Sequence, residues 1–413
     1  MASIGAVIAA PAFAATGHAG ELDTSWNHSG YTTTSVGSGG FSGALGVAVN
    51  GNQVLAVGAE VDSSGNQGFG LARYNKDGSL DTSFGTGGTT TTLFPGTSDD
   101  QANAVAYQGD KAVVVGQASA DGGVTFNFAL ARYNKNGSLD TSFGTGGLVV
   151  TSFGGGYDFA NAVVVKGDSI IVAGVTRPTG GHNELIVAQY TKSGALDPHF
   201  GTGGYTTTDF NGNPSNGNSL VLSGGDIIVA GYVTHPAHDV FAVAAFTNNG
   251  KLDPHFGTGG KVTTDFGADA FGAHVDASGG KIVVIGSAEV GTREDFAAAM
   301  YDSKGNLVPS FNGGTATMST GSDDFGYSGG FEDGTNVVAI GTAGSESSTF
   351  AVGRWTQSGG TDPSFGGGAG FVVTPIDGSS SSGAFAGSFG LDDRIVAVGF
   401  ADSDFAIASY LSD

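Results

Sequence analysis

The chain contains no cysteine, which removes disulfide frameworks, thiolate metal sites and thiol nucleophiles together. Any metal must therefore be held by oxygen or imidazole. Basic residues are scarce: 15 Lys and Arg stand against 38 Asp and Glu, for a formal charge of -23. Such a surface has few cations to exchange for the counterions of a phosphate backbone, which excludes nucleic acid as a partner. Beyond the N-terminal tail no apolar run is long enough to span a bilayer, and no stretch keeps helical apolar spacing. The P-loop and H-E-x-x-H are both missing.

Glycine is abundant, with 75 in 413 residues, and 39% of the chain is hydrophobic. No G-X-Y period runs through it, so it is not collagen-like, and Val, Ile, Phe and Ala between the glycines argue against disorder. The composition fits a many-turned β protein. At the start, residues 4–10 are apolar and Ala12-Phe13-Ala14 precedes Ala15. This reads as the back half of a secretory signal, although no basic region precedes it. Residues 1–19 are expected to be a signal-like or disordered tail, residues 20–413 a single domain, and the protein extracellular or at the cell surface.

One phrase recurs: Leu80-Asp81-Thr82-Ser83-Phe84-Gly85, Leu139-Asp140-Thr141-Ser142-Phe143-Gly144, Leu196-Asp197-Pro198-His199-Phe200-Gly201 and Leu252-Asp253-Pro254-His255-Phe256-Gly257. Weaker copies lie at Leu22-Asp23-Thr24-Ser25-Trp26, at 307–311 and at Thr361-Asp362-Pro363-Ser364-Phe365. The seven aromatic positions are spaced 54 to 59 residues apart, a blade-sized period. In the second unit, strands are expected at 102–107, 111–116, 128–133 and 148–153, called A to D, with Gln108-Gly109-Asp110 turning A into B. Seven four-stranded units leave exposed edges unless arranged radially, which predicts an all-β, seven-bladed β-propeller of antiparallel blades.

The chain ends give a second argument. The last unit has A, B and C strands at 384–389, 394–399 and 405–410 but no D, while the first begins with a lone D-like strand at 31–35. The fragments complete each other, so the last blade is expected to be closed by the N-terminal strand.

The run Phe128-Ala129-Leu130-Ala131-Arg132-Tyr133-Asn134-Lys135-Asn136-Gly137-Ser138-Leu139-Asp140-Thr141-Ser142-Phe143-Gly144-Thr145-Gly146-Gly147 resembles the delta-60 repeat, an uncharacterised bacterial β-propeller repeat family. The resemblance covers nearly the whole chain from residue 20. It implies a propeller, often secreted or at the surface, and no settled activity. Val308 replaces the phrase's Asp in the sixth copy, and Thr361 its Leu in the seventh.

The repeated Asp81, Asp140, Asp197 and Asp253 could form small Ca²⁺ loops with upstream Asn75, Asp77, Asn134 and Asn136. Later units put Thr191, Ser193, Thr247 and Lys304 upstream, so turn-capping of local N–H groups is the better reading. The phrase aromatics are expected to plug between blades. The Thr runs at Thr89–Thr92 and 206–208 suggest a lattice-matching array, but are read as β-propensity on a wet outer strand.

Residues that break the repeat are the candidates for function. The D-to-A and B-to-C loops share one face, the top. There Asp99, Asp100, Asp158, Asp269, Asp323, Asp324 and Asp377 would make an acidic funnel for Ca²⁺ or a cationic ligand, with Asp99, Asp158, Asp269 and Asp323 as metal candidates; solvated turn residues are the plainer alternative. The B-to-C loops carry Arg177, His182 and Glu184, then His235, His238 and Asp239, then Arg293, Glu294 and Asp295. His199 and His255 fall on the opposite face. His274 aligns with Gly46, Ala104, Ala162 and Ser219 on the A strands, so an imidazole is expected at the central channel. His235, His238 and Asp239 could hold a transition metal, though without a third His. Alternatively a His with Glu184 or Asp295 could work as acid and base on a glycosidic, lactone or ester bond, with Arg177 or Arg293 on a substrate carboxylate.

The favoured expectation is a monomeric, noncatalytic scaffold presenting top-face loops to a carbohydrate, a peptide, a small-molecule ligand or a surface partner. The alternative is a hydrolase or lyase with His182, Glu184, His235, His238, His274 and Asp295 as catalytic candidates, and Arg177, Asp239 and Arg293 as substrate-binding ones. The first predicts dispersed ionisable groups and the second predicts convergence in one pocket.

Overall fold

The computed structural model describes residues 17–38, 40–344 and 348–413. Most of the expected N-terminal tail, including the A-x-A pattern, lies outside these residues. The chain forms seven four-stranded antiparallel blades spanning 42–92, 99–151, 159–208, 215–264, 270–318, 324–374 and 382–411. A single parallel bridge between Gln67 and Asp99 joins the first two blades into one sheet. Within each blade the strands run in chain order from A, nearest the axis, to D, outermost. The second unit has them at Asp99–Gln108, Lys111–Ser119, Asn127–Tyr133 and Leu148–Thr151. Among the described residues no helix is long and apolar enough to cross a membrane.

The core is divided among seven apolar clusters, one per seam between neighbouring blades. The phrase aromatics Trp26, Phe84, Phe143, Phe200, Phe256, Phe311 and Phe365 are all buried, as plugs must be. Each meets a glycine of the next blade, in its C-to-D turn or, for Phe365, at Gly20 of the N-terminal segment. Gly78 is one of these: its φ is +83° and a Cβ there would sit 2.7 Å from the Trp26 ring. Only glycine accepts both that backbone and that approach.

The residue after each aromatic donates its N–H to a carbonyl of the next blade, in seven bonds of 2.7 to 2.9 Å that run round the ring: Asn27 to Asp77, Gly85 to Asn136, Gly144 to Ser193, Gly201 to Asn249, Gly257 to Lys304, Asn312 to Ser358 and Gly366 to Ala19. The last reaches the N-terminal segment, so the ring is closed as expected. Tyr31–Thr34 pairs antiparallel with Asp404–Leu411 as the fourth strand of the last blade. Leu22 bridges to Tyr410 as Leu80 does to Tyr74.

The repeated aspartates cap turns. Asp81 Oδ1 accepts the Ser83 N–H at 3.1 Å and its hydroxyl at 2.6 Å, and Asp140 and Asp362 do the same with Ser142 and Ser364. In three blades the other oxygen takes an arginine Nε: Arg73 at 2.9 Å, Arg132 at 2.7 Å and Arg354 at 2.8 Å. Those guanidiniums also lie over Phe84, Phe143 and Phe365 and donate to the Lys135, Lys192 and Ser412 carbonyls of the following blade. Burial alone would raise the Asp140 carboxyl, but bonds from Lys111, Ser142 and Arg132 outweigh it and hold it below the usual carboxylate range. These oxygens are taken up by protein donors, which removes the case for a Ca²⁺ ring.

The Thr runs are likewise partly structural. Thr34, Thr92 and Thr264 are buried at the ends of D strands and bond the buried Tyr74, Tyr133 and Tyr301 hydroxyls of the next blade at 2.6 to 2.9 Å.

Candidate functional site

The B-to-C loops do reach the top face, but their histidines do not meet. His182 Nε2 lies 3.6 Å from Asp209 Oδ2 in the third blade. His238 Nε2 lies 2.7 Å from Asp265 Oδ1 in the fourth. Asp209 and Asp265 each follow the last residue of their D strand, so these are equivalent pairs on the outer rims of separate blades. His235 is exposed on its loop, and His274 lies on the A strand of the fifth blade, at the axis. The four histidines thus lie on two rims, a loop and the channel wall.

The remaining candidates are held locally. Arg177 covers the Tyr157 ring at 4.1 Å and donates to Asn183 at 2.7 Å, while Arg293 donates to the Gly321 carbonyl at 2.7 Å. Glu184 begins the third blade's C strand opposite Thr176. Asp295 is buried opposite Ala288. Asp239 is half-buried; burial raises its carboxyl, a Thr234 hydrogen bond opposes this and the Asp269 charge adds to it.

The four metal candidates are not assembled into a site. Asp158 is fully buried, accepting the Phe153 N–H at 2.8 Å and the Thr176 hydroxyl at 2.6 Å; burial raises its carboxyl against those bonds. Asp100 and Asp324 occupy the same register position and cap the same turn, through Phe94 and Thr320. Asp99 accepts from Gln67, Asp269 from the Asp239 N–H and Asp323 from the Glu294 N–H. Among the described residues no group of three or more His, Asp or Glu is placed to hold a metal. Of the funnel residues, Asp100, Asp158 and Asp324 cap N–H groups of their own D-to-A turns, while Asp99, Asp269 and Asp323 accept from the C strand of the preceding blade.

The concave feature to which all seven blades contribute is the axial channel, a cavity of about 570 Å³. Each A strand carries a one-residue β-bulge at the same register position, between Ala44 and Gly46, Ala102 and Ala104, Ala160 and Ala162, Gly217 and Ser219, Gly272 and His274, Gly326 and Ser328, and Ala384 and Ala386. The extra residues are Leu45, Asn103, Asn161, Asn218, Ala273, Tyr327 and Phe385, and all seven line the channel. A bulge leaves one residue unpaired and re-aims its side chain; repeated sevenfold, it builds a ring. The following residue, which includes His274, also lines the cavity. His274 Nδ1 lies 3.4 Å from Ser219 Oγ, and burial lowers its imidazole against the pull of Asp276.

The ring has two arcs. In blades two to four, Asn103, Asn161 and Asn218 donate Nδ2 to the Ala160, Gly217 and Gly272 carbonyls of the next blade at 2.9 to 3.0 Å. In blades six, seven and one stand Tyr327, Phe385 and Leu45. The Tyr327 and Phe385 rings meet edge-on with centroids 5.0 Å apart, and Phe385 stacks on Phe400 at 5.5 Å. Among the described residues, none of those lining the cavity is Asp, Glu, Lys or Arg. Sequence reasoning missed this ring. Its signal was the position before the aligned small residue of strand A, which varies from Leu to Asn to Tyr while its neighbours repeat.

A family model described as a β-propeller domain of unknown function, DUF5122, matches residues 52–84, 108–143 and 168–200. The chain carries β-propeller repeats. No curated protein matches it in sequence. Among solved structures it is similar to puromycin hydrolase (S511A mutant), at 12% identity over 89% of this chain and 50% of that one, with a TM-score of 0.49. This chain thus spans about half the length of that one. It is also similar to the β-propeller domain of the Trilobed protease from Pyrococcus furiosus, at 10% identity over 93% and 94%, with a TM-score of 0.44. The third is Sqt1 from Chaetomium thermophilum, at 14% identity over 92% and 98%, with a TM-score of 0.46. With TM-scores below 0.5 these likenesses carry no argument about what this chain does.

Proposed function

We propose that the protein is a noncatalytic binding scaffold, built from delta-60-like repeats, that presents the top end of its propeller to a carbohydrate, peptide or surface partner. The observation that carries this reading is the separation of His182, His235, His238 and His274 onto two rims, a loop and the channel wall. Acid and base catalysis needs two titratable groups within reach of one bond, and glycoside hydrolysis usually needs a pair of carboxyl groups across it. The axial cavity is lined by no carboxylate, which supports binding without turnover. The apolar stretch at residues 4–10 supports a location outside the cytoplasm.

The test has two arms. Incubation with p-nitrophenyl glycosides, p-nitrophenyl esters and a lactone panel should give no turnover above buffer. Affinity electrophoresis through gels containing soluble neutral polysaccharides, and binding to a peptide array, should show retention on at least one support. Turnover that His238→Ala or His274→Ala abolishes would overturn the reading.

A further inference from the structure

We infer that the bulge ring is a binding site for one end of a neutral saccharide entering the axial channel from the top face; this rests on the binding-scaffold reading and gives it a location and a ligand class. The ring lies in the half of the channel nearer the top. Leu45 is the fourth residue of Ser42–Asn50 and Asn161 the third of Phe159–Lys166, and both strands begin at the D-to-A loops. The cavity, about 570 Å³, falls within the roughly 300–1,000 Å³ of small-molecule sites.

Its chemistry selects the ligand. In a protein of formal charge -23, a central cavity lined without a formally charged side chain other than a histidine offers little to an ion of either sign. It offers primary amides along one arc, Asn103, Asn161 and Asn218, and an apolar arc of Tyr327, Phe385 and Leu45 across from it. A sugar ring has those two aspects: hydroxyls that both donate and accept around its edge, and a C–H face that packs on an aromatic ring. Amides satisfy the first: after their bonds to the protein Asn161 and Asn218 each keep one N–H to donate, and the amide oxygens keep lone pairs to accept. The aromatic pair satisfies the second with large, rigid area.

The amide arc is also set before a ligand arrives. Each Asn is pinned by its bond to the next blade, and Asn103 is further held by Gln101 at 3.0 Å and Gln117 at 2.7 Å. Side chains already ordered lose little entropy on binding. Tyr327 is 38% exposed, so its apolar surface is available to cover.

The experiment is isothermal titration and saturation-transfer NMR of the full chain. The probes are glucose, galactose, mannose, N-acetylglucosamine and their β-linked disaccharides, with oligogalacturonate and a lysine-rich peptide as charged competitors. Two channel variants are compared with a rim control. Tyr327→Ala removes the aromatic platform; Ala273→Trp breaks no side-chain hydrogen bond and fills the lumen, so the test stands if the first variant fails to fold. His238→Ala is the control.

At least one neutral saccharide should bind, at least tenfold more weakly to Tyr327→Ala, undetectably to Ala273→Trp, unchanged to His238→Ala, and with little dependence on salt. If a saccharide binds but responds to His238→Ala and not to Ala273→Trp, the channel inference falls and the top-face reading stands. The same holds if only oligogalacturonate or the peptide binds. If no probe binds up to millimolar concentration and no partner is retained on polysaccharide gel or peptide array, both fall.

Discussion

Closure of the ring through the N-terminal segment can be tested at a single side chain. Trp26 is fully buried in the seam between the last and first blades, packed with Tyr74, Val54, Phe405 and Ile407. Its indole N–H has no hydrogen-bond partner among the described residues, so Trp26→Ala removes packing. Deleting a buried aromatic of that size costs about 3–5 kcal/mol. Unfolding entropy of about 2.1 cal/mol/K per residue, over the roughly 400 residues of a ring melting as one unit, comes to about 0.8 kcal/mol/K. The loss then lowers Tm by about 4–6 °C. Phe143→Ala, at the equivalent seam in mid-chain, is the internal standard, because there each blade beside the seam is one continuous stretch of chain. Differential scanning calorimetry should show the same single transition for both variants, displaced by similar amounts. A Trp26→Ala melt within a degree of wild type, beside a Phe143→Ala melt several degrees lower, would refute the claim that the closing seam shares the stability of the others.

Other outcomes follow from the same geometry. Arg354→Met should cost about 3–5 kcal/mol by urea denaturation, because it strands the buried Asp362 and Glu332 carboxylates that Arg354 now pairs at 2.8 and 2.7 Å. Lys76→Ala, which breaks an exposed pair with Asp392, should cost under about 1 kcal/mol. Glu60 is buried, and burial, with Asp62 adding repulsion, pushes its carboxyl from 4.5 up to about 7. Between those values the native state keeps a proton that the unfolded chain has released, so this group's contribution to stability falls as pH rises from 4.5 to 7. Glu60→Gln should remove that slope, and a variant whose Tm changes between acidic and neutral pH as much as wild type would contradict the assignment. His238→Ala, on an exposed rim, should leave the unfolding free energy within about 0.5 kcal/mol of wild type; a larger loss would mean that the Asp265 pair is structural.

Much of the fold was legible because its determinants are local and repeated seven times. The Asp-x-Ser step that marks each unit bonds its own turn, as Asp81 does with Ser83, so the same local chemistry recurs wherever the phrase recurs. The lone D-like strand at 31–35 and the missing D strand after 405–410 imply the closure that the structure has, with Tyr31–Thr34 paired to Asp404–Leu411. His274 was placed on the channel wall by alignment alone, since it falls where other units carry Gly46, Ala104, Ala162 and Ser219.

The candidate site was less legible. Residues such as His182, His235 and His238 break the repeat and looked like one constellation, yet a break in each of two blades puts the two side chains on two rims. Asp158 and Asp324 looked like a funnel because Asp is frequent in turns; their burial shows that they answer the unpaired N–H groups of those turns. Arg73, Arg132 and Arg354 carried no signal of their function, since the carbonyls they reach belong to the next blade.

The sequence by itself determined the number of blades, the strands in each, the turns between them and the way the ring closes, because period, alternation and turn chemistry act over a few residues. Only the tertiary structure decided what faces the axis. A bulge inserts one residue, and in a strand of period two one residue decides which face a side chain takes. That choice depends on the crowding of seven strands around a common channel, which no single repeat contains.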